Sequence, residues 1–189
     1  MNEAYKLKGG LVSLAVMDEE KFETVERWFA DPEIAFELSH TYRALMTKTA
    51  SEFFGARLKG GEQLFSIHDN ATGRFIGMEW IFHIDQVNRN AAVGICIGER
   101  EYCGKGYGTE AMNLILDYAF NSLNLHSVHL WAVESNERAV KSYGKCGFRY
   151  AGRRRDAVTI LGKTFDSVYM DILDREFEAK SFLKGFYND

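Results

Sequence analysis

Apolar and polar positions change period along this chain, and each change predicts an element. Leu11 to Val16 reads as a short strand. Over Asp18 to Ala30, Phe22, Val25 and Phe29 recur at helical spacing, with Trp28 beside them. Pro32, the only proline, follows Asp31 and predicts a helix start with Asp31 as its cap. A third helix is predicted near Thr49 to Leu58. Gln63 to His68 reads as a strand, and Asn70 to Gly73 as a turn. Arg74 to Asp85 alternates: Met78, Trp80, Phe82 and Ile84 lie on one face, Glu79, Ile81, His83 and Asp85 on the other. After a turn at Asn88 to Asn90, the stretch from Ala91 to Gly98 is apolar almost throughout, which predicts a central strand buried on both faces.

A glycine-rich run follows, then a helix with Met112, Ile115, Leu116 and Ala119 on one side and Glu110, Asn113, Asp117 and Asn121 on the other. Ser127 to Val133 reads as a strand. Asn136 to Cys146 reads as a helix with Ala139, Val140 and Tyr143 inward and Gly147 just past its end. Phe148 to Val158 and Thr164 to Asp171 read as a closing hairpin around Leu161 and Gly162. The pattern predicts one α/β domain with a single mixed central sheet. Beyond Asp174, Phe177, Phe182, Leu183, Phe186 and Tyr187 predict a C-terminal extension that packs on the domain or on a second copy, so a homo-oligomer stays open.

Composition narrows the class. A chain of 189 residues, 46% hydrophobic and 26% charged, fits one globular domain. A net charge of −4 lacks the basic excess of a nucleic-acid binder. Arg153, Arg154 and Arg155 make one short basic run, read as a solvated edge. No apolar run is long enough for a membrane span, and the first ten residues hold no signal core. Cys96, Cys103 and Cys146 form no CxxC pair, so they read as reduced thiols of a cytoplasmic protein and not as a metal site.

Chemistry enters at Cys103-Gly104-Lys105-Gly106-Tyr107-Gly108-Thr109, where glycines precede a helix. Such a loop lets backbone N–H groups approach a phosphate. A P-loop is excluded, because five residues separate Gly98 from Gly104-Lys105 and Gly106 follows the lysine. The dinucleotide fingerprint fits poorly, since Thr109 stands where its third glycine belongs. A loop whose glycines serve only tight packing is the alternative.

The loop, the following strand, and Asn136-x-x-Ala139-x-x-x-Tyr143-x-x-x-Gly147-Phe148 together resemble the GNAT superfamily of acetyl-CoA-dependent N-acetyltransferases. Within it, the Gly-Lys-Gly-Tyr-Gly-Thr-Glu-Ala run and Asn124-Leu125-His126 are most similar to two bacterial branches. These acetylate ribosomal-protein N-termini and spermidine. The family's leading Gln or Arg of the pyrophosphate loop is Cys103 here. The resemblance implies the GNAT fold, a mostly antiparallel central sheet flanked by helices, with acetyl-CoA as co-substrate and no metal. It implies coenzyme contacts at Cys96, Ile97 and Gly98, along Cys103 to Thr109, and at Asn136 and Tyr143. A backbone N–H near Cys96 or Ile97 would hold the thioester carbonyl, and Tyr143 would protonate the departing thiolate. Glu79 is the first candidate base, with a water chain as the alternative. One of Lys105, Lys141 and Lys145 is expected to reach coenzyme phosphates. On the helices that wall the acceptor cleft in this family, Glu33 and Glu37 lie one turn apart near His40, and suit a cationic acceptor. The expected acceptor is a protein or peptide α-amine. Spermidine and a non-catalytic acetyl-CoA-binding module are the alternatives.

Overall fold

A computed structural model describes residues 5–38, 48–160 and 162–178. Strands β1 (Tyr5–Lys8), β2 (Val12–Val16), β3 (Gln63–Asp69), β4 (Phe75–Asp85), β5 (Asn90–Ile97), β6 (Ser127–Val133), β7 (Arg149–Ile160) and β8 (Lys163–Leu173) form one sheet. Their order is β1-β2-β3-β4-β5-β6-β8-β7. Every neighbouring pair is antiparallel except β5 and β6. The first strand, β1, precedes the predicted elements. His40 and the apolar tail positions from Phe182 onward lie outside the described residues.

Helices α1 (Phe22–Phe29), α2 (Pro32–Glu37) and α3 (Ala50–Lys59) belong to one face. There Trp28, Phe54, Trp80 and Phe82 share a core with Phe22 and Val25. Helix α4 (Tyr107–Asp117) and helix α5 (Glu137–Lys145) belong to the other face. That core holds Leu14, Ile67, Ile81, Val93, Met112, Ile115 and Phe148. Two apolar cores on one sheet explain why strands β3 to β5 read as nearly continuous hydrophobic runs.

Local chemistry sets the helix starts. Asp31 caps α2 by accepting the Glu33 N–H at 2.9 Å, and Thr49 and Glu52 close a reciprocal capping box on α3. Asn136 caps α5 by accepting the Ala139 N–H at 3.1 Å. In the first turn of α4, the Glu110 carboxylate accepts the N–H groups of Gly10, Leu11 and Val12 at 3.1, 2.6 and 2.8 Å. These bonds lash the β1–β2 turn to the helix that follows the glycine loop. They also turn the acid away from that helix's own N-terminus.

Two strand predictions need correction. Strand β4 carries a bulge between Phe82 and Asp85, and His83 takes a left-handed φ of 52° inside it. The extra residue shifts the alternation, so His83 and Asp85 do not simply continue the Glu79 face. Asp85 instead accepts the turn N–H groups of Val87 and Asn88 at 2.9 and 2.8 Å. Strand β5 is buried at Ala91 to Val93 but partly open at Gly94, Ile95 and Ile97. The cause is a split in the sheet. β5 and β6 pair only over Asn90–Ser127, Ala91–Val128 and Ala92–His129. Beyond Ala92, β5 stays with β4 while β6 stays with β8 as far as Val133.

Candidate active site

Two adjoining cavities occupy this split. The larger, about 590 Å³, follows Ile95, Cys96 and Ile97 and is closed by the glycine loop, the start of α4 and one face of α5. The smaller, about 210 Å³, lies between Val93 to Ile95 on β5 and Trp131 and Ala132 on β6. Glu37, Leu38, Ile95, Asn136 and Tyr143 wall both.

The larger cavity has the chemistry to receive an anionic arm. Gly104 and Gly106 take φ values of 74° and 95°, a left-handed path that favours glycine at both positions. Gly106 caps α4 and has no side chain to satisfy the helix's first N–H groups. Those donors and the positive end of the helix dipole therefore face the cavity unclaimed by a cap. On α5, Arg138, Lys141, Ser142 and Lys145 line the wall at helical spacing. The Thr109 and Ser142 hydroxyls meet at 2.9 Å, and the Cys146 thiol donates to the Thr109 carbonyl at 3.6 Å, fixing α4 against α5.

The structure brings Cys96, Ile97, Cys103, Gly104, Gly106, Gly108, Thr109, Asn136 and Tyr143 together on this wall. Gly98, Lys105 and Tyr107 are not part of it. Gly98 lies so close to the Trp28 indole that a Cβ there would fall 1.9 Å from the ring. Lys105 is exposed, and the Tyr107 ring packs edge-on against Tyr102 at 5.0 Å. Burial, then the nearby Glu37 carboxylate, pushes the Cys96 thiol far up, so it is an inert wall residue.

Tyr143 packs edge-on against Phe148 with ring centres 6.0 Å apart. Burial, then the Glu79 carboxyl, raises its phenol above the ordinary range, so it holds its proton at neutral pH. Glu79 is fully buried, and neither carboxyl oxygen has a hydrogen-bond partner. Its side chain reaches the wall of neither cavity. Burial raises its pKa well above the carboxylate range, which favours the neutral acid over the base that sequence reasoning looks for.

A test follows from the sign of that shift. Above about pH 4.3 the unfolded chain releases this proton while the folded protein keeps it, so Glu79 erodes stability as pH rises. Glu79→Gln is expected to unfold at higher urea than the parent at pH 8, by a larger margin than at pH 5. Its kcat should fall less than about tenfold, short of the 10²–10⁴ of a general base. A larger loss of kcat would restore Glu79 as the base.

Of the two acceptor-side acids, the structure places one at the site. Glu37 stands at the junction of the cavities, with Oε2 2.5 Å from Arg138 Nη2. Glu33 lines neither cavity and pairs with Arg100 Nη1 at 2.6 Å. Arg100 also grips Asp31, at 2.6 Å, and so ties the start of α2 to the segment before the glycine loop.

The smaller cavity was not legible in the sequence. Phe53, Trp80, Phe82 and Trp131 wall it, together with Arg57. Phe82 and Trp131 approach edge-on with centres 5.5 Å apart across the strand between them. Gly94 makes room for the Trp80 indole, because a Cβ there would lie 2.4 Å from that ring. The Arg57 guanidinium lies 4.6 Å from the Phe53 ring centre and 5.4 Å from that of Phe82, and pairs with Glu62 at 2.8 Å. Trp80 and Phe82 read as core residues by alternation, and nothing in the pattern marks them as a cavity wall.

A sheet split beside a cationic cleft, with a glycine loop opening a helix, is the arrangement expected of the acyltransferase family that the sequence resembles. Residues 12–149 match the acetyltransferase (GNAT) domain model, and the chain belongs to that family. It is similar to YdaF of Bacillus subtilis, provisionally named a ribosomal N-acetyltransferase, at 36% identity over 108 residues. That match covers 57% of this chain and 58% of YdaF, less than two thirds of the relative's length. It is 34% identical over 131 residues to the spermidine N(1)-acetyltransferase of Vibrio cholerae, covering 64% of this chain and 75% of that protein. The fold matches the crystal structure of a Vibrio cholerae spermidine N-acetyltransferase in complex with CoA and spermine, with a TM-score of 0.78 at 24% identity. This superposition covers 89% of this chain and 98% of the other. The chain is thus an acetyl-CoA-dependent N-acetyltransferase. Among the described residues no group of three or more His, Cys, Asp or Glu could hold a metal ion, and no helix is long and apolar enough to cross a membrane.

Proposed function

We propose that the enzyme acetylates a primary amine of a polyamine such as spermidine. The carrying observation is the junction of the two cavities, where Glu37 stands beside Tyr143 and opens onto aromatic walls. Aromatic faces pack methylene groups and attract an ammonium, and a carboxylate holds a second one. The spermidine acetyltransferases among the relatives support the same reading. In this scheme the first-turn N–H groups of α4 hold the pyrophosphate, with Lys141 and Lys145 beside it. A backbone N–H near Cys96 or Ile97 holds the thioester carbonyl as charge builds on its oxygen. The acceptor ammonium gives a proton to water, and the neutral amine attacks the carbonyl carbon. As the carbon–sulfur bond breaks, the Tyr143 hydroxyl protonates the leaving sulfur. The new amide nitrogen then loses its excess proton to water, and the Tyr143 phenolate takes a proton back from solvent, which restores the acid.

A peptide α-amine is the second reading, and Arg57 favours it. A guanidinium in the wall of the smaller cavity suits the carbonyl next to such an amine and offers nothing to a polyamine. Release of coenzyme A thiol with spermidine, spermine, and peptides beginning with Ala, Ser or Met separates the two. Turnover confined to the peptides would overturn the polyamine reading.

A further inference from the structure

The carboxylate that a polyamine needs is already occupied. Glu37 ends α2, Arg138 lies in the first turn of α5, and their ion pair crosses the cleft between the two helices. Glu37 walls both cavities, whereas Arg138 walls only the larger one. The pair is half in solvent, with side-chain exposures of 39% and 52%. Pairs this exposed are weak and exchange partners readily. The other acidic residue of α2, Glu33, is committed to Arg100, which also grips the helix cap Asp31. Arg57 in the smaller cavity is committed to Glu62. Among the described residues, Glu37 is therefore the carboxylate at the junction that an incoming cation can win.

We propose that Arg138 is an internal stand-in for the acceptor's second ammonium: it holds Glu37 until a multiply charged amine displaces it. This rests on the polyamine reading. Arg138 then acts through Glu37 as a positioning residue that sets charge selectivity. A monoamine reaches the Tyr143 end without displacing the pair and gains nothing from Glu37. A polyamine must break the pair first, so its apparent affinity is lowered by the strength of that pair. Freeing the guanidinium also turns one more cation toward the coenzyme cleft, at the moment both substrates are bound.

The test compares KM for spermidine and for butylamine at saturating acetyl-CoA, in the parent, Arg138→Gln, Glu37→Gln and the double variant. Arg138→Gln is expected to lower the spermidine KM about three- to fivefold, the equilibrium value of an exposed ion pair. The butylamine KM should not move. Glu37→Gln should raise the spermidine KM, and adding Arg138→Gln to it should change nothing further. Arg138→Lys, which keeps the cation, should restore the parent value and guards against a folding defect. An unchanged or raised spermidine KM in Arg138→Gln, or equal shifts for both amines, would overturn the proposal while leaving polyamine acetylation intact. If neither amine is acetylated although acetyl-CoA binds, the polyamine reading itself fails, and the proposal with it.

Discussion

Replacing Tyr143 by Phe is expected to lower kcat by about 10²–10³, the range of a general acid, and to leave acetyl-CoA binding within about twofold. The ring stays, so the packing on Phe148 and the wall shared by both cavities survive. Only the hydroxyl proton is lost. Single-turnover kinetics with acetyl-CoA preloaded measures the chemical step apart from binding. The pH profile is a second check. Burial lifts the Tyr143 phenol above its usual range, so it stays protonated while the acceptor amine, with a pKa near 10.4, begins to lose its own proton. The parent rate should therefore climb from pH 7 to 9 with no alkaline fall. An unchanged kcat in Tyr143→Phe would remove this residue from the chemistry.

The second expected result concerns a glycine that no motif contains. A Cβ at Gly77 on β4 would lie 2.4 Å from the carbonyl oxygen of Cys96 and 3.1 Å from the Ile97 Cα. Those atoms are backbone, so Gly77→Ala must push β5 aside where it is expected to hold the thioester carbonyl. Overpacking of this kind costs about 1–3 kcal/mol, and each kcal/mol is worth about 2–4 °C of Tm in a chain of this size. We expect Tm to fall by several degrees and kcat by tenfold or more, because a preorganised donor loses its aim. Gly144 on α5 is the contrast, since its Cβ would meet nothing within 4 Å. Gly144→Ala should raise Tm slightly, by removing a helix glycine. A neutral Gly77→Ala would show that β5 can yield there at no cost.

What was readable in the sequence was whatever depends on neighbours along the chain. The Asp31 cap, the helix start at Asn136, the glycine loop and the stripe on α5 are local, and they fall where the pattern puts them. The wall of the larger cavity is assembled from such segments, and most of the residues expected to contact the coenzyme meet there. The acceptor half was not, because it depends on which strands separate. Alternation assigns Trp80 and Phe82 to a core, and only the divergence of β5 from β6 past Ala92 turns them into a cavity wall with Trp131. Glu33 and Glu37 look equivalent on a helical wheel. Their partners, Arg100 and Arg138, come from segments 67 and 101 residues away, and those contacts leave only Glu37 at the site. The burial of Glu79 has the same origin: a polar letter on an alternating strand suggests solvent until both faces of the sheet are seen to be covered.

An unpaired strand edge is normally a hazard, because it invites another chain to add a strand and seed aggregation. Here the free edge of β5 begins in mid-sheet, past Ala92, and sits between helices instead of at the rim. If the proposed thioester arm pairs with it, this edge reads ligand backbone from inside the fold, without the stickiness an outer strand would bring.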